Sequence, residues 1–255
     1  MLTKLKKNRF LFEELVKRDF KQKYKRTVLG MAWSVLSPLL QLLVMRIVFT
    51  QFFGRGMEHY TTYLFCGTLV YGYYKSSTSG GMYSLMSNAD VISKINIPKY
   101  MFLLSRNVSE LINFGLTLVV FFLFVAIDGI PFGPQFVMLI YPILCLIVFN
   151  IGVGLVLSAL YVFFRDINYL YEIFTLLLNY VSAIFYTVDG YPPMFQKLFL
   201  CNPLYCYIKY FRVIVMDGTV PSLPFHLLCA FYAIVMVAFG AFIYKKYNHQ
   251  FLYYM

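Results

Sequence analysis

The chain has 255 residues, of which 60% are apolar and only 13% are charged. Soluble domains are about 45–50% apolar and about 25% charged. A soluble protein of this size could not keep so much apolar surface away from water. The composition therefore excludes a disordered chain, a collagen-like chain and an ordinary cytosolic enzyme, and it predicts a membrane protein.

Basic residues outnumber acidic residues by 22 to 11, which gives a formal net charge of +11. Ten of the basic residues precede the first long apolar run. This clustering is typical of a juxtamembrane segment attracted to anionic lipid on the cytoplasmic face. A nucleic-acid-binding tail is the alternative, but we expect membrane lipids as partners and no nucleic acid.

Residues 8–28 are expected to form an amphipathic helix in the membrane interface. The expected apolar side consists of Phe12, Leu15, Val16, Phe20 and Tyr24, and the basic side of Lys17, Arg18, Lys21 and Lys25. Asp19 and Lys23 interrupt the apolar side, so the expected amphipathic character is moderate.

Six later segments are apolar and long enough to cross a bilayer core of about 30 Å, which requires about 20 helical residues. They are residues 31–53, 60–81, 110–128, 136–164, 170–189 and 225–244. The second is more polar than the others and rich in tyrosine. Because the apolar runs are continuous rather than alternating, helices are favoured over strands. We predict an all-α protein with six transmembrane helices.

The distribution of Lys and Arg over the loops predicts the orientation. With the amino terminus in the cytoplasm, sixteen basic residues lie on the cytoplasmic side and four outside, and two more, Arg46 and Lys75, lie within spans. The four outside are Arg55, Lys197, Lys209 and Arg212. An even number of spans then places both termini in the cytoplasm. Lys75 is expected to snorkel to the interface, with a functional role as the alternative.

The cytoplasmic loop of residues 82–109 contains a short helical pattern. Asn88 can cap the amino terminus of a helix, and Pro98 prevents its continuation. Such a helix would present Val91, Ile92 and Ile95 on one face. It is too short to span the bilayer and has no obvious internal partner.

Residues 190–224 form an outer segment that five prolines interrupt. Its apolar stretches are each too short to cross the membrane, so we expect re-entrant or interfacial helices. Without an internal repeat, the whole chain is expected to be one transmembrane domain. It would comprise an interfacial part (1–30), spans one to five (31–189), the outer segment (190–224) and the last span with its tail (225–255).

The sequence contains no catalytic pattern. There is no phosphate-binding loop, no metal-ligand spacing and no nucleophile elbow, so we expect neither ATP hydrolysis by this chain nor a bound metal. Cys201 and Cys206 fall in one outer loop, where they form either a disulfide or two free thiols. Cys66, Cys145 and Cys229 lie in apolar spans and are expected to be packing residues.

Polar and aromatic residues in the spans are candidates for a pathway. Arg46 either snorkels to the outer interface or lines a pathway. Rings lining a pore can stack on sugar faces, although ordinary packing is the alternative for each ring. The candidates are Phe49, Phe52 and Phe53 near the end of span one, and Tyr180, Phe185, Tyr186 and Tyr191 near the end of span five.

Several segments together resemble the membrane subunits of ABC exporters of bacterial surface polysaccharides, such as O-antigens, capsules and teichoic acids. The matching segments are residues 18–25 (RDFKQKYK), 29–30 (LG), 33–39 (WSVLSPL), 92–98 (ISKINIP), 164–166 (FRD), 184–186 (IFY), 202–205 (NPLY) and 211–212 (FR). Lys209, the cysteine pair and residues 188–190 depart from the family pattern.

The resemblance implies a homodimer of permeases with two separate ATP-binding subunits, which would hold ATP and Mg²⁺, in the bacterial cytoplasmic membrane. It implies that the short helix near residues 88–98 docks into the ATPase and that spans one and five line the pathway for a lipid-linked polysaccharide. The implied docking residues are Asn88, Asp90, Val91, Ile92, Lys94, Ile95 and Pro98. The alternatives are a permease for a drug or small lipid and, from another class, a membrane-embedded glycosyl- or acyltransferase.

Overall fold

The computed structural model describes residues 8–25, 27–52, 58–95 and 97–254, without the side chains of residues 45, 46 and 49–52. All regular secondary structure in these ranges is helical, as predicted. The α-helices are α1 (Arg9–Tyr24), α2 (Trp33–Phe52), α3 (Tyr60–Tyr83), α4 (Ala89–Lys94), α5 (Tyr100–Ile127), α6 (Ile140–Phe163), α7 (Ile167–Val181), α8 (Pro193–Phe199), α9 (Pro203–Val215), α10 (Leu223–Tyr247) and α11 (Phe251–Tyr254).

Three helical segments of the described chain are long and apolar enough to cross a membrane: Tyr100–Ile127, Pro134–Phe163 and Leu223–Tyr247. They correspond to the third, fourth and sixth predicted spans. Helices α8 and α9 together pass the same test but meet at an angle of 105°, so they form either a broken span or a re-entrant loop. The chain is thus a multi-pass helical protein with three or four candidate spans by length and composition.

Helix α3 lies at the centre of the bundle, where it contacts α2, α5, α6 and α9. Most of its residues are buried, including polar ones such as Thr62, Ser77 and Thr78. Their hydroxyl groups are paired: Ser77 donates to Asn107, and Thr62 donates to Asp128. The neighbouring helices therefore shield a helix that is too polar to face lipid alone.

Helices α6 and α10 form the most extensive helix pair, and their backbones touch. A Cβ atom added to Gly152 would lie 2.5 Å from the backbone of Met236 and of Val237. A Cβ atom added to Gly240 would lie 2.5 Å from the carbonyl oxygen of Gly152. Glycine is required at both positions because no side chain fits between the two helices.

Two predicted spans have different limits in the structure. The third begins ten residues earlier than predicted, because residues 100–109, which include the polar Ser105, Arg106 and Asn107, belong to helix α5. The fifth was expected to reach residue 189, but α7 ends at Val181 and the chain turns through residues 182–186. The apolar run alone could not reveal this break, since residues 182–186 are as apolar as a helix interior.

The bundle has two chemically different ends. The basic end comprises residues 8–25, 84–106, 163–168 and 245–254, which meet through contacts such as Asp19 with Ser105 and Lys99 with Asn248. The aromatic end comprises residues 58–63, 128–139 and 180–222. Twelve of the described Lys and Arg residues lie at the basic end and three at the aromatic end.

Candidate functional site

At the aromatic end, the chain break after α7 is built from backbone carbonyl groups paired with side chains. Ala183 has a left-handed backbone (φ 52°), which prevents α7 from continuing. Ser182, Ala183 and Ile184 are fully buried. A buried carbonyl without a partner is costly within a membrane protein, so the freed groups require donors from elsewhere in the fold.

Three side chains from two other helices supply these donors. Arg212 on α9 donates from Nη1 to the carbonyl of Ala183 at 2.8 Å and from Nη2 to that of Ile184 at 2.9 Å. On α3, Tyr60 donates to the carbonyl of Phe185 at 2.8 Å. Tyr63, one turn later, donates to the carbonyl of Tyr186 at 2.6 Å. The break is therefore held open by α3 and α9 together.

Arg212, which the sequence placed in the outer segment, is a buried residue of α9 at the aromatic end. Arg212 is only 8% exposed, and its guanidinium group lies 3.4 Å from the centroid of the Tyr63 ring. No carboxylate pairs with it among the described residues. The planar guanidinium can be buried here because carbonyl groups and an aromatic face replace its water.

Asn202 ties the start of α9 to the same break. Its side-chain oxygen accepts from the backbone N–H of Leu204 at 3.0 Å, and its side-chain nitrogen donates to the hydroxyl of Ser182 at 3.0 Å. Pro203 occupies the first helical position, where its missing N–H is harmless. The Asn-Pro pair thus both begins the helix and positions it against the break.

The four predicted pathway residues near the break do not share one environment. Tyr180 and Tyr191 are exposed, and Tyr186 is half-buried. Phe185 has a buried side chain that packs in the core. Tyr191 stacks parallel to Phe199 with ring centroids 6.4 Å apart. Three of the four rings thus remain partly accessible.

The other predicted pathway residues cannot be placed in the same way. Arg46, Phe49 and Phe52 lie on α2, and their side chains are outside the described part of the structure. Phe53 is itself outside the described residues. Their role remains a prediction.

At the basic end, α4 confirms a short helix where the sequence predicted one, but its residues are divided. Ile92 is buried, with 6% exposure, in a cluster that includes Leu15 and Phe102. Ile95 is 52% exposed and has an extended backbone. The expectation that Val91, Ile92 and Ile95 share one face is therefore wrong, because the helix ends before Ile95.

The remaining residues of this segment surround α4. Asp90 and Lys94 are exposed, whereas Val91 and Pro98 are half-buried. Asn88 precedes the helix, but its side chain does not cap it and instead donates to the carbonyl of Ser84 at 2.8 Å. The exposed surface of this segment thus consists of Asp90, Lys94 and Ile95 together with Ser93.

Burial along α1 follows the predicted amphipathic division with one difference. Phe12, Val16, Phe20 and Tyr24 are half-buried, Leu15 is buried, and Lys17, Arg18, Lys21 and Lys25 are exposed. The difference concerns the two residues that seemed to interrupt the apolar side, because Asp19 and Lys23 contact the rest of the protein.

These polar residues dock α1 onto α5. The carboxylate of Asp19, 4% exposed, accepts a hydrogen bond from Ser105 at 3.0 Å. Lys23 forms an ion pair with Glu110 at 2.8 Å, and Tyr24 donates to the side chain of Asn113 at 2.6 Å. Burial raises the pKa of Tyr24, so its hydroxyl remains a donor. Helix α1 is thus bound by polar contacts as well as apolar ones.

Comparison with known proteins shows the family. Residues 11–216 match the family model of the ABC-2 type transporters. The chain belongs to the ABC-2 transporter family. The O-antigen export system permease protein RfbA of Klebsiella pneumoniae is 29% identical over 95% of both chains. RfbA of Myxococcus xanthus is 22% identical over 98% of this chain and 97% of its own length. The polysialic acid transport protein KpsM of Escherichia coli is 21% identical over 81% of each chain.

In this ABC-2 transporter chain, the segments that carried the resemblance meet in two places. Residues 184–186, 202–205 and 211–212 converge at the break after α7. Residues 18–25 and 92–98 lie at the basic end. The family match confirms the resemblance. Segments that are distant in sequence lie together at the break after α7 and at the basic end.

The family is one of transport proteins rather than of enzymes, as the sequence predicted. Among the described residues, no three His, Cys, Asp or Glu side chains are grouped so that they could hold a metal ion. Cys201 is exposed and Cys206 is buried, and they form no disulfide. The thiol of Cys206 instead donates to the carbonyl of Leu200. Of the two alternatives for this pair, the structure has free thiols.

Proposed function

We propose that this chain is the permease subunit of an ATP-driven exporter that moves a lipid-linked polysaccharide across the bacterial cytoplasmic membrane. The observation that carries the proposal is the similarity, over nearly the whole chain, to permeases named for O-antigen and polysialic acid transport. The fold supports it, because the chain is a multi-pass helical bundle.

The proposed topology has six membrane-spanning segments with both termini in the cytoplasm. Helix α3 has 24 residues and is about 36 Å long, enough to cross the bilayer while its neighbours cover its polar groups. Helix α7, with 15 residues, would complete its crossing with the turns after Val181. The concentration of Lys and Arg at the basic end supports placing that end in the cytoplasm.

The ATP-binding subunits would dock at the basic end. Those subunits, rather than this chain, would bind ATP and Mg²⁺. The exposed residues Asp90, Lys94 and Ile95 offer a small surface with both charges around an apolar centre. Ile92 anchors this surface to the core, so a displacement of α4 would be passed directly to α1 and α5.

The pathway would lie between two copies of the chain, along α2 and α7. Both helices expose large apolar side chains in the described single copy, for example Leu43 and Ile47 on α2 and Ile173 and Leu177 on α7. Tyr180, Tyr186 and Tyr191 lie where the pathway would leave the aromatic end. Their rings offer flat faces on which sugar units can slide without being held by fixed hydrogen bonds.

Reconstitution tests this function directly. Proteoliposomes that contain the chain and its co-expressed ATP-binding subunit should transport lipid-linked polysaccharide when ATP is added, and the chain alone should not hydrolyse ATP. Transport of a drug or small lipid but not of the polysaccharide would favour the small-substrate alternative. ATP hydrolysis by the purified chain alone would refute the proposed division of labour.

The aromatic lining has its own test. Alanine at Phe52 or Tyr186 should slow the export of long polymer without separating the subunits. Tyr169→Ala is a matched control, because this exposed tyrosine lies on α7 near the basic end. An unchanged polymer flux in both variants would remove the aromatic-lining idea and leave the family assignment intact.

A further inference from the structure

A large groove at the basic end borders the proposed docking surface for the ATP-binding subunits and contains basic and apolar residues that this surface does not use. It has a volume of about 1150 Å³ and lies between the segment around α4 and the end of α10. Its floor includes Leu155 on α6 and Val237 and Ala241 on α10, both of which belong to candidate membrane spans. Its rim carries Lys94, Lys99 and Lys245. We call it the basic groove.

The charge of the basic groove is entirely of one sign. No Asp or Glu is among the described residues that line it. Four other basic residues, on α1, are each paired with a carboxylate. The three rim lysines form no ion pair within the described chain. The groove thus concentrates positive charge that the protein itself does not neutralise.

Lys99 is the most constrained of these lysines. It is only 9% exposed, and its ammonium group donates to the carbonyl oxygen of Asn248 and lies 5.5 Å from the centroid of the Phe251 ring. Burial lowers the pKa of Lys99. Helix α5 begins at the next residue, and its amino terminus adds a partial positive charge.

Tyr244 contributes its aromatic ring to the wall of the groove. The residue lines the groove and is only 6% exposed, and its hydroxyl is enclosed by the protein, with no hydrogen-bond partner among the described residues. Its ring therefore adds to the apolar surface of the groove.

We propose that the basic groove binds one anionic phospholipid of the surrounding membrane. The phosphate lies between Lys99 and Lys245, and one acyl chain follows the apolar floor between α6 and α10. The volume is too large for a phosphate ion alone, and a floor on two candidate spans is continuous with the lipid hydrocarbon. This site does not depend on which polymer the protein exports.

Native mass spectrometry of the purified full chain tests the proposal. One candidate ligand at a time is added to the chain in neutral detergent, and the chain is then released from the detergent. The candidates are phosphatidylglycerol, phosphatidylcholine with the same acyl chains, glycerol 3-phosphate and a polyprenyl phosphate. We expect one phosphatidylglycerol to be retained in preference to phosphatidylcholine. Lys99→Gln with Lys245→Gln should weaken this retention about 30-fold. Lys246→Gln is the matched control, because this lysine is adjacent in sequence but does not line the groove.

A second variant keeps the test valid if the change at the buried Lys99 disturbs the fold. Lys245→Gln alone changes an exposed lysine of the groove, so the fold should persist while phosphatidylglycerol retention falls several-fold. Equal retention of the two phospholipids, or an equal effect of Lys246→Gln, would overturn the proposal. Preferential retention of glycerol 3-phosphate or of the polyprenyl phosphate would also overturn it, in favour of a free phosphate or a lipid carrier.

Discussion

The tyrosine hydroxyls at the break after α7 allow a quantitative test of how that break is held. Tyr60→Phe and Tyr63→Phe each remove one hydroxyl and leave the carbonyl of Phe185 or Tyr186 without its donor. The two tyrosines are 5% and 6% exposed, which limits the replacement of the lost donor by water. A buried polar group left unpaired costs about 1–3 kcal/mol, and the low half of this range applies because the ring itself is retained.

The expected loss of about 1–2 kcal/mol per hydroxyl corresponds to a fall in Tm of about 2–8 °C for a chain of this size. Thermal unfolding of the purified chain in neutral detergent measures it. Tyr244→Phe is the matched control, since this tyrosine is 6% exposed and its hydroxyl has no partner among the described residues. Its Tm should stay the same or rise, because the removed hydroxyl was buried at a cost.

The double variant, Tyr60→Phe with Tyr63→Phe, is a stricter test of how the break is held. If the two carbonyl groups are independent, the effects of Tyr60→Phe and Tyr63→Phe should add. If Tyr63→Phe lowers the Tm no more than Tyr244→Phe does, the hydroxyl groups do not hold the break. In that case Arg212 would have to hold it, through its hydrogen bonds to the carbonyl groups of Ala183 and Ile184 and its packing against the Tyr63 ring.

Three further predictions follow from contacts of single residues. Asp19→Ala should cost about 1–3 kcal/mol and make α1 susceptible to limited proteolysis, because the change removes a buried hydrogen-bonded carboxylate; unchanged protease resistance would contradict the docking of α1. Ile95→Asp should weaken co-purification of the ATP-binding subunit with an unchanged Tm, whereas Ile92→Asp should lower the Tm; the reverse pattern would contradict the proposed docking surface. Gly152→Ala should lower the Tm through a backbone clash with α10, whereas Gly115→Ala, with nothing within 4 Å of the added Cβ, should not; equal effects would contradict the close packing of α6 and α10.

Features that depend on local composition could be predicted from the sequence. Apolar runs identify the segments that become α5, α6 and α10, since a helix in lipid must be apolar on most of its surface. The short helix α4 could be recognised because Pro98 limits how far it can extend. The family, too, was evident from short segments, because their order along the chain is preserved.

Features that depend on distant partners could not be predicted. Arg212 appeared to be an exterior charge, because nothing near it in sequence shows that carbonyl groups 28 and 29 residues away accept its hydrogen bonds. Asp19 appeared to interrupt an apolar face, since its partner Ser105 is 86 residues away. A polar residue in an apolar setting can be a defect or an anchor, and only the tertiary structure distinguishes the two.

The central position of α3 has a consequence for how the protein is made. This helix contains many tyrosine, serine and threonine residues, so it gains little from entering lipid by itself. The helices that cover it, α5 and α6, are synthesised later. In the proposed six-span topology, α3 would therefore remain with the insertion machinery or in water during synthesis until those helices emerge. Helix α3 is thus synthesised before α5 and α6, the helices on which its stability in the membrane would depend.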